Sequence, residues 1–340
     1  MNMLRHHWKK LVIVLAVLLL AGAGLYAYIM YTKANAVIKS VTKSGTVADL
    51  LKPEALNGES TGVVNVLIAG NSVDDADHGG AELTDSIMVA SYNLSAKKLT
   101  LISIPRDLYV NVKGSYMKIN AAYEYGGLDT LQSIVESVTG LTINHRALIN
   151  YAAFKSLIDA VGGVDVDIGS PDPRGIYDPM IGYQVGNGVQ HLNGTDALLL
   201  VRCRNDPTYD GRVAYGLPNG DFDRATNQRK VLVALLTKIG TGQALANPAT
   251  LQTIIDGLSG NVTSDFTAGQ LRRMYDLSTL NPAVNSISIK GDDTANLLSD
   301  YRNAAVGDAL VPSAGVGNYS AIQQYIDATI APPQASATKS

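Results

Sequence analysis

An arginine and an aspartate follow directly after a strand-like run in LISIPRDLYV, residues 101–110. Pro105 cannot donate a ladder hydrogen bond, so the strand should end there and leave Arg106 and Asp107 at its exit. Guanidinium groups bind phosphate oxygens in pairs, which makes Arg106 a candidate for binding an anion. Taken alone, such a pair is more often a turn with a local ion pair, so the other charged clusters decide between the two interpretations.

Two further arginines, Arg202 and Arg204, follow the apolar run ALLLV. This run could be a helix or a strand. If 198–204 is a strand, its period of two puts both arginines on one face and Cys203 on the other. Two guanidinium groups beside so apolar a segment are costly unless they meet an anion, although an isolated pair of this kind is usually half-exposed charge.

An amphipathic helix is predicted in the segment DFDRATNQRKVLVALL. Arg224 and Gln228 are four residues apart and share a helix face. Asp221 or Asp223 can cap the N-terminus, where backbone N–H groups favour a nearby phosphate. Together with Asp85, which precedes a strand in ELTDSIMV, these clusters predict a phosphate-binding site at the ends of several elements.

Strand-like and helical segments alternate along the chain, which predicts an α/β layered domain. The near-continuous apolar strands indicate a central sheet covered on both faces. The predicted strands are VVNVLIAG, DSIMVASYNL, KKLTLISIP and VDVDI. The predicted helices include DTLQSIVESVTG and YAAFKSLIDAVGG, which end in glycine as helix C-termini often do. Helices and one more strand, NSISIKG, are expected from about 245 to 330.

Residues 11–31 contain no charge and are long enough for a membrane-spanning helix. Arg5, Lys9 and Lys10 precede this run and three tyrosines cluster at its far end, so we expect a cytoplasmic N-terminus and a domain outside the membrane. A cleaved signal peptide is the alternative, but its apolar core is usually shorter, about 7–15 residues. The chain is therefore expected to divide into a cytoplasmic N-terminus (1–10), a transmembrane helix (11–31), a stalk (32–61), an extracytoplasmic domain (62–330) and a disordered tail (331–340).

The composition excludes several classes of function. The net charge of −3 is nearly balanced, and there is no zinc-finger or RNA-binding motif, so a nucleic-acid partner is not expected. One cysteine, Cys203, rules out an internal disulfide, and its thiol suits an extracytoplasmic location if it is buried or if disulfide chemistry is scarce there. The five histidines are scattered without zinc-ligand spacing, which leaves an oxygen-ligand site for a hard cation such as Mg²⁺ open.

The order of these motifs resembles the LytR–CpsA–Psr family of membrane-anchored cell-wall enzymes. The resemblance covers about 62–330 and is carried by VVNVLIAG, TDSIMV, LISIPRDLYV, KINAAYEYGG, LIDAVGGVDVDI, QHLNGTDALLLVRCR and DFDRATNQRKVLVAL. It implies a mixed central sheet between helices and a long apolar pocket for a polyprenyl chain. It also implies a phosphotransferase that moves a glycan-1-phosphate from an undecaprenyl-pyrophosphate carrier onto peptidoglycan or a related wall acceptor.

The resemblance also implies roles for individual residues. Asp107 would orient Arg106 or help to take the acceptor proton, Asp85 would be a ligand of Mg²⁺ (or Mn²⁺), and Gln228 would bond a phosphate oxygen. The pyrophosphate would be contacted by Arg106, Arg202, Arg204 and Arg224, and the site would be completed by Lys118, Asn120 and Asp223.

Two positions depart from the family pattern. Ser72 stands where the family usually carries an aspartate, so Asp74 or Asp75 would have to supply that carboxylate to the metal. Leu83 stands where an arginine is usual. These changes keep two alternatives open beside the transferase: hydrolysis of the polyprenyl pyrophosphate, and a non-catalytic polyprenyl-phosphate-binding protein. Transcriptional regulation is disfavoured by the extracytoplasmic placement.

Overall fold

The structure is a computed structural model, and it describes residues 28–74, 82–204, 210–240, 256–292 and 295–330. Its centre is a six-stranded sheet. The strands of this sheet, in chain order, are β1 (Val63–Asn71), β2 (Thr84–Asn93), β3 (Lys98–Ile104), β6 (His145–Ile149), β11 (Val262–Ser264) and β12 (Ala283–Ser288). Their order across the sheet is β11-β6-β1-β2-β3-β12.

The sheet is mixed. Strands β1, β2 and β3 form an antiparallel meander, whereas β6 lies parallel to β1 and β12 lies parallel to β3. Short antiparallel pairs surround it, and these are β4 (Tyr109–Val112) with β5 (Ser115–Lys118), β7 (Val164–Ile168) with β10 (Gly188–Leu192), β8 (Ile176–Asp178) with β9 (Tyr183–Val185), β13 (Gly291–Asp292) with β14 (Ala295–Asn296), and β15 (Leu298–Asn303) with β16 (Gly307–Pro312).

Helices cover both faces of the sheet. They are α1 (28–41), α2 (Ala122–Thr139), α3 (Tyr151–Ala160), α4 (Gly194–Arg202), α5 (Asp221–Gly240), α6 (Ala268–Ser278) and α7 (Ser320–Ile330). Val89 of β2 points to the face covered by α2 and α7, and its neighbour Met88 points to the face covered by α5 and α6. This alternation is the period of two that a strand buried on both faces requires. The predicted α/β fold with a mixed central sheet flanked by helices is confirmed.

The segment that ends in VRCR is a helix, so the strand interpretation of 198–204 is wrong. Asn193 caps α4 by accepting a hydrogen bond from the backbone N–H of Asp196 at 2.9 Å, and the helix ends at Arg202. Cys203 then takes an extended backbone conformation and is completely buried. The strand period that was expected to put both arginines on one face therefore does not apply, although both residues line the same cavity.

The predicted membrane segment lies outside the described residues except for its last four, which begin α1. None of the helices in the described ranges combines the length and the apolar character that a membrane crossing requires. Within 32–61, the expected stalk, Val37, Val41 and Leu56 are buried, and Ser264 donates a hydrogen bond to the carbonyl of Val41 at 2.6 Å. The expected tail, 331–340, also lies outside the described residues.

Candidate active site

A cavity of about 180 Å³ lies between the central sheet and helices α3, α4 and α5. Most of its wall is apolar, and one part of it is strongly charged. The apolar wall is formed by Ile68, Ala69, Met88, Ile149, Tyr151, Phe154, Leu157, Met180, Ile181, Leu198, Val201, Leu232 and Leu235. The charged part is formed by Asp85, Arg106, Asp178, Arg202, Arg204 and Arg224.

Asp85 enters the cavity because β2 is irregular where it pairs with the end of β1. Gly70 pairs with Ser86 but Asn71 pairs with Thr84, so Asp85 is an extra residue in the register. A bulge of this kind redirects a side chain that a regular strand would point to the opposite face. As a result, Asp85 and its neighbour Ser86 both line the cavity.

Arg106 is held by three carboxylates. Its Nη1 lies 2.6 Å from Asp85 Oδ1, and its Nε lies 3.3 Å from Asp221 Oδ1 and 3.6 Å from Asp107 Oδ2. Burial acts to lower the pKa of Arg106, but Asp85, Asp221 and Asp107 together outweigh it and raise the pKa above the usual arginine value. Arg106 is therefore a fixed, permanently charged group at the charged part of the cavity.

Arg224 is the most buried arginine of the site. It is 5% exposed, its Nη2 lies 2.6 Å from Asp221 Oδ1, and the same atom donates a hydrogen bond of 3.3 Å to the carbonyl of Asp85. Burial lowers the pKa of Arg224, which Asp221 opposes. One carboxylate, Asp221, thus ties together the arginines from the β3 exit and from the first turn of α5.

Asp223, predicted to bind substrate, does not line the cavity. Its carboxylate accepts hydrogen bonds from the backbone N–H and side-chain amide of Asn219, at 2.8 and 3.1 Å. It fixes the turn before α5, whereas Asp221, which the sequence offered only as an alternative cap, contacts the arginines. The structure thus brings Asp221, and not Asp223, to the arginines of the cavity.

Arg202 and Arg204 approach the cavity from the end of α4. The guanidinium of Arg202 lies over the ring of Tyr151, 5.1 Å from its centre, a favourable cation–π arrangement. The backbone N–H of Arg204 donates to Asp178 Oδ2 at 2.7 Å, and the other oxygen of that carboxylate accepts from the backbone of Met180 at 3.0 Å. Asp178 is 2% exposed. Sequence reasoning missed it because a single aspartate at the end of a short strand has no distinguishing spacing.

Gln228 connects α5 to both neighbouring elements at the cavity wall. Its Oε1 accepts a hydrogen bond from Ser86 Oγ at 3.1 Å, and its Nε2 donates to the carbonyl of Val201 at 3.3 Å. Because Arg224 and Gln228 both line the cavity, the shared helix face predicted for them is confirmed.

Lys118 and Asn120 lie beside the cavity wall and support it. Lys118 Nζ lies 2.8 Å from Asp107 Oδ1, which places the lysine one contact away from Arg106. The backbone N–H of Asn120 donates to the carbonyl of Arg106 at 3.1 Å, and its own carbonyl accepts from Thr84 Oγ1 at 3.1 Å. These bonds fix the loop that presents Arg106.

The lining side chains carry four positive and two negative formal charges, and two further carboxylates, Asp107 and Asp221, contact Arg106 without lining the cavity. Nε of Arg106 and Nε of Arg224 are buried, and no described residue accepts a hydrogen bond from either atom. Guanidinium donors that converge on one cavity suit an anion with several oxygens. The LytR_cpsA_psr family model matches residues 26–307. The chain belongs to this family.

Named relatives in this family are transferases. The chain is 30% identical over 266 residues to a polyisoprenyl-teichoic acid–peptidoglycan teichoic acid transferase TagU of Bacillus mycoides. This match covers 75% of this chain and 77% of the relative. It is 31% identical over 261 residues to the protein of the same name from Bacillus anthracis, and this match covers 74% of this chain and 77% of that relative.

Solved structures share the fold of this family member. TagT bound to LI-WTA superposes with a TM-score of 0.60 at 21% identity, over 79% of this chain and 91% of that structure. TagV of B. subtilis superposes with a TM-score of 0.57 at 24% identity, over 78% of this chain and 96% of that structure.

The positions at which this LytR_cpsA_psr member departs from the family pattern lie next to the bulge. Ser72 is completely buried, and its Oγ has no hydrogen-bond partner within the described residues; the same holds for Oδ1 of Asn71. Asp74 accepts hydrogen bonds from the backbone N–H groups of Tyr151 and Ala152, at 3.1 and 2.7 Å. Its carboxylate is therefore bound to the first turn of α3. Asp75, the predicted metal ligand, lies outside the described residues. No group of three acidic, histidine or cysteine side chains that could hold a metal occurs in the described ranges.

Proposed function

We propose that the protein is a membrane-anchored phosphotransferase that moves a glycan-1-phosphate from an undecaprenyl-pyrophosphate carrier to peptidoglycan or a related cell-wall acceptor. Membership of the LytR_cpsA_psr family and the transferase names of its relatives support the class of reaction. The carrier, the linkage and the acceptor are part of the proposal.

The amphipathic cavity is the observation that carries this proposal. Its apolar wall offers a hydrocarbon chain an environment away from water, where each buried methylene contributes about 0.8 kcal/mol. Its charged part offers four guanidinium groups to a pyrophosphate, and planar guanidinium donors match phosphate oxygens in pairs. A ligand with a lipid tail and a pyrophosphate head satisfies both parts at once.

Charge neutralisation and positioning would supply most of the catalysis, as is usual in phosphoryl transfer. The acceptor hydroxyl would attack the phosphorus next to the glycan, and polyprenyl phosphate would leave with the electron pair of the broken P–O bond. Arg106, Arg202, Arg204 and Arg224 would neutralise the charge that develops on the leaving group. Asp107, 2.8 Å from Lys118 Nζ and 3.6 Å from Arg106 Nε, would orient Arg106 or take the acceptor proton.

A Mg²⁺ (or Mn²⁺) ion is proposed as the cofactor, with Asp85 as its ligand. Mg²⁺ is commonly bound by one or two carboxylates together with substrate phosphates, and the hard oxygens of Asp85 and Asp221 fit this donor set. Oδ1 of Asp221 is ion-paired but accepts no hydrogen bond of good geometry from the described residues. When bound, the ion would add positive charge next to the pyrophosphate.

The location of the domain outside the cytoplasmic membrane is also proposed. The uncharged run at 11–31, preceded by basic residues, supports a single-pass anchor with a cytoplasmic N-terminus. Burial of Cys203, whose pKa is raised by desolvation, is compatible with a thiol that stays reduced in that location.

A release assay on the full chain in detergent tests the proposed reaction. The donor is a short-chain polyprenyl-pyrophosphate glycan with Mg²⁺, and polyprenyl phosphate is measured with and without peptidoglycan. We expect release that requires peptidoglycan, falls on chelation with EDTA, and is lost in Arg202→Ala. Release without the acceptor would instead indicate a pyrophosphate hydrolase. Tight binding without any release would indicate a lipid-binding protein that has lost the chemistry at Ser72 and Leu83.

A further inference from the structure

A second cavity, of about 550 Å³, lies on the other side of helix α5 from the candidate active site. It is bounded by α5, by strand β7 and by Ser286 of β12. Gln228 and Leu232 face the first cavity, whereas Arg229 and Val233, one position further along α5, face the second. The two cavities therefore use different faces of one helix.

Arg229 is a largely buried cation that has no acidic partner among the described residues. Its Nη1 donates to Ser103 Oγ at 2.8 Å and its Nη2 donates to Thr226 Oγ1 at 2.9 Å, and no carboxylate of the described residues lies within ion-pair distance. Burial lowers the pKa of Arg229 to about 10. A guanidinium carries five N–H donors, so several have no partner within the described part of the chain. A desolvated charge of this kind is costly unless an anion compensates it.

Two lysines add positive charge to the same cavity. Lys230 Nζ donates to the backbone carbonyl of Asp167 at 2.9 Å, which leaves its charge without a carboxylate partner among the described residues. Lys238 is paired with Asp165, at 3.1 Å between Nζ and Oδ2. With Asp165 and Asp167 also in the lining, three cations face two carboxylates.

Hydroxyl groups complete the lining. Thr226, Thr237 and Ser286 all face this cavity, interspersed with the small apolar side chains Val233 and Ala234. Hydroxyls and short apolar groups suit the alternating O–H and C–H surface of a sugar or polyol, whereas a lipid tail would require a more continuous apolar wall.

We propose that this cavity is a second binding site, for a phosphate or carboxylate group carried by a sugar or polyol, with Arg229 as its principal charge and Lys230 as a second contact. A guanidinium such as that of Arg229 binds phosphate and carboxylate groups alike, so the test includes one probe of each kind. The site is separate from the arginines of the first cavity, and the assignment holds whether or not the first cavity catalyses transfer.

Saturation-transfer NMR titrations of the full chain test this site. The probes are glycerol phosphate and glucuronate, with uncharged glycerol and glucose as controls. We expect at least one anionic probe to bind, and to bind at least fivefold more tightly than its neutral counterpart. Arg229→Gln should weaken that binding at least fivefold and Lys230→Gln by about twofold. Arg302→Gln is the control, because this arginine is 86% exposed, pairs with Asp308 and does not line the cavity.

Two further measurements make the test decisive. Thermal unfolding shows whether each variant is folded. If Arg229→Gln does not fold, the affinity of Lys230→Gln is the deciding measurement. Arg202→Ala removes a cation from the first cavity, and binding that depends on Arg202 but not on Arg229 would overturn the proposal. So would the absence of binding by both anions, or equal affinity of the Arg229→Gln and native proteins.

Discussion

Arg106 Nη1 lies 2.6 Å from Asp85 Oδ1, so the arginine at the exit of β3 is held by the bulged residue of β2. This ion pair joins the side chain proposed to neutralise the leaving group with the carboxylate proposed to bind the metal. Asp107, the immediate neighbour of Arg106 in the chain, lies closer to Lys118 than to Arg106.

Asp85→Asn should lower kcat by about tenfold to a hundredfold. The substitution removes the charge that orients Arg106, and a displacement of about 1 Å in a catalytic group can cost this much. The measurement is the rate of polyprenyl phosphate release at saturating donor. Asp172→Asn serves as the control, because Asp172 pairs with the exposed Arg174 and not with the site. An unchanged kcat in Asp85→Asn would contradict the role of this ion pair.

Asp221→Asn and Asp223→Asn should differ sharply although the residues are two positions apart. Asp221 contacts Arg106 and Arg224, so its loss leaves two largely buried cations less compensated and should cost about 1–3 kcal/mol, together with most of the activity. Among the described residues Asp223 bonds only Asn219, and its replacement should cost less than about 1 kcal/mol. Chemical denaturation and turnover of both variants test this, and equal losses of activity would contradict it.

Leu232→Trp should block the apolar wall and leave the charged part intact. Leu232 lines the first cavity from α5, and a larger side chain there competes with a bound hydrocarbon chain. We expect weaker binding of a long-chain polyprenyl phosphate and unchanged binding of inorganic pyrophosphate. Leu280→Trp, at a site that is 50% exposed, is the control for the size change. Equal loss of both ligands would argue that the variant damages the whole site.

Asp265 should contribute stability that depends on pH. Burial acts to raise the pKa of Asp265, but two contacts lower it below the usual aspartate value: His145 Nδ1, 3.4 Å from Asp265 Oδ1, and the backbone N–H of Arg146, which donates a hydrogen bond of 2.9 Å to the same oxygen. A depressed folded-state pKa means that this contribution is present above about pH 4 and is lost as the pH falls through the folded pKa. Asp265→Asn should therefore destabilise the protein by about 1 kcal/mol at pH 7 and by less near pH 3. Urea unfolding at the two pH values measures this, and a difference independent of pH would refute it.

The strands and most helices followed from the sequence because their patterns are long and periodic. Val89 and Met88 show why: successive apolar residues facing opposite sides can only belong to a strand covered on both faces. The segment ending at Arg202 was ambiguous because a short, uniformly apolar run fits a buried strand and a buried helix equally well. Only the cap at Asn193 separates the two, and one asparagine is a weak signal.

The site could be predicted as a set of arginines but not as a network. Arg106, Arg202, Arg204 and Arg224 all reach one cavity, as predicted. The choice of Asp221 over Asp223 depends on which direction the first turn of α5 faces, which is a tertiary property. The entry of Asp85 into the cavity depends on a one-residue irregularity in the pairing of β1 and β2, which leaves no mark on the pattern of either strand.

The most direct test of the central claim compares farnesyl pyrophosphate with its two halves, farnesol and inorganic pyrophosphate. Calorimetric titration of the full chain gives the three affinities, and the same titrations are repeated on Arg204→Ala. An amphipathic site predicts that farnesyl pyrophosphate binds at least tenfold more tightly than either half, and that Arg204→Ala weakens pyrophosphate and farnesyl pyrophosphate but not farnesol. Equal affinities for farnesol and farnesyl pyrophosphate, unaffected by the arginine, would show that the charged part of the cavity does not hold the phosphates.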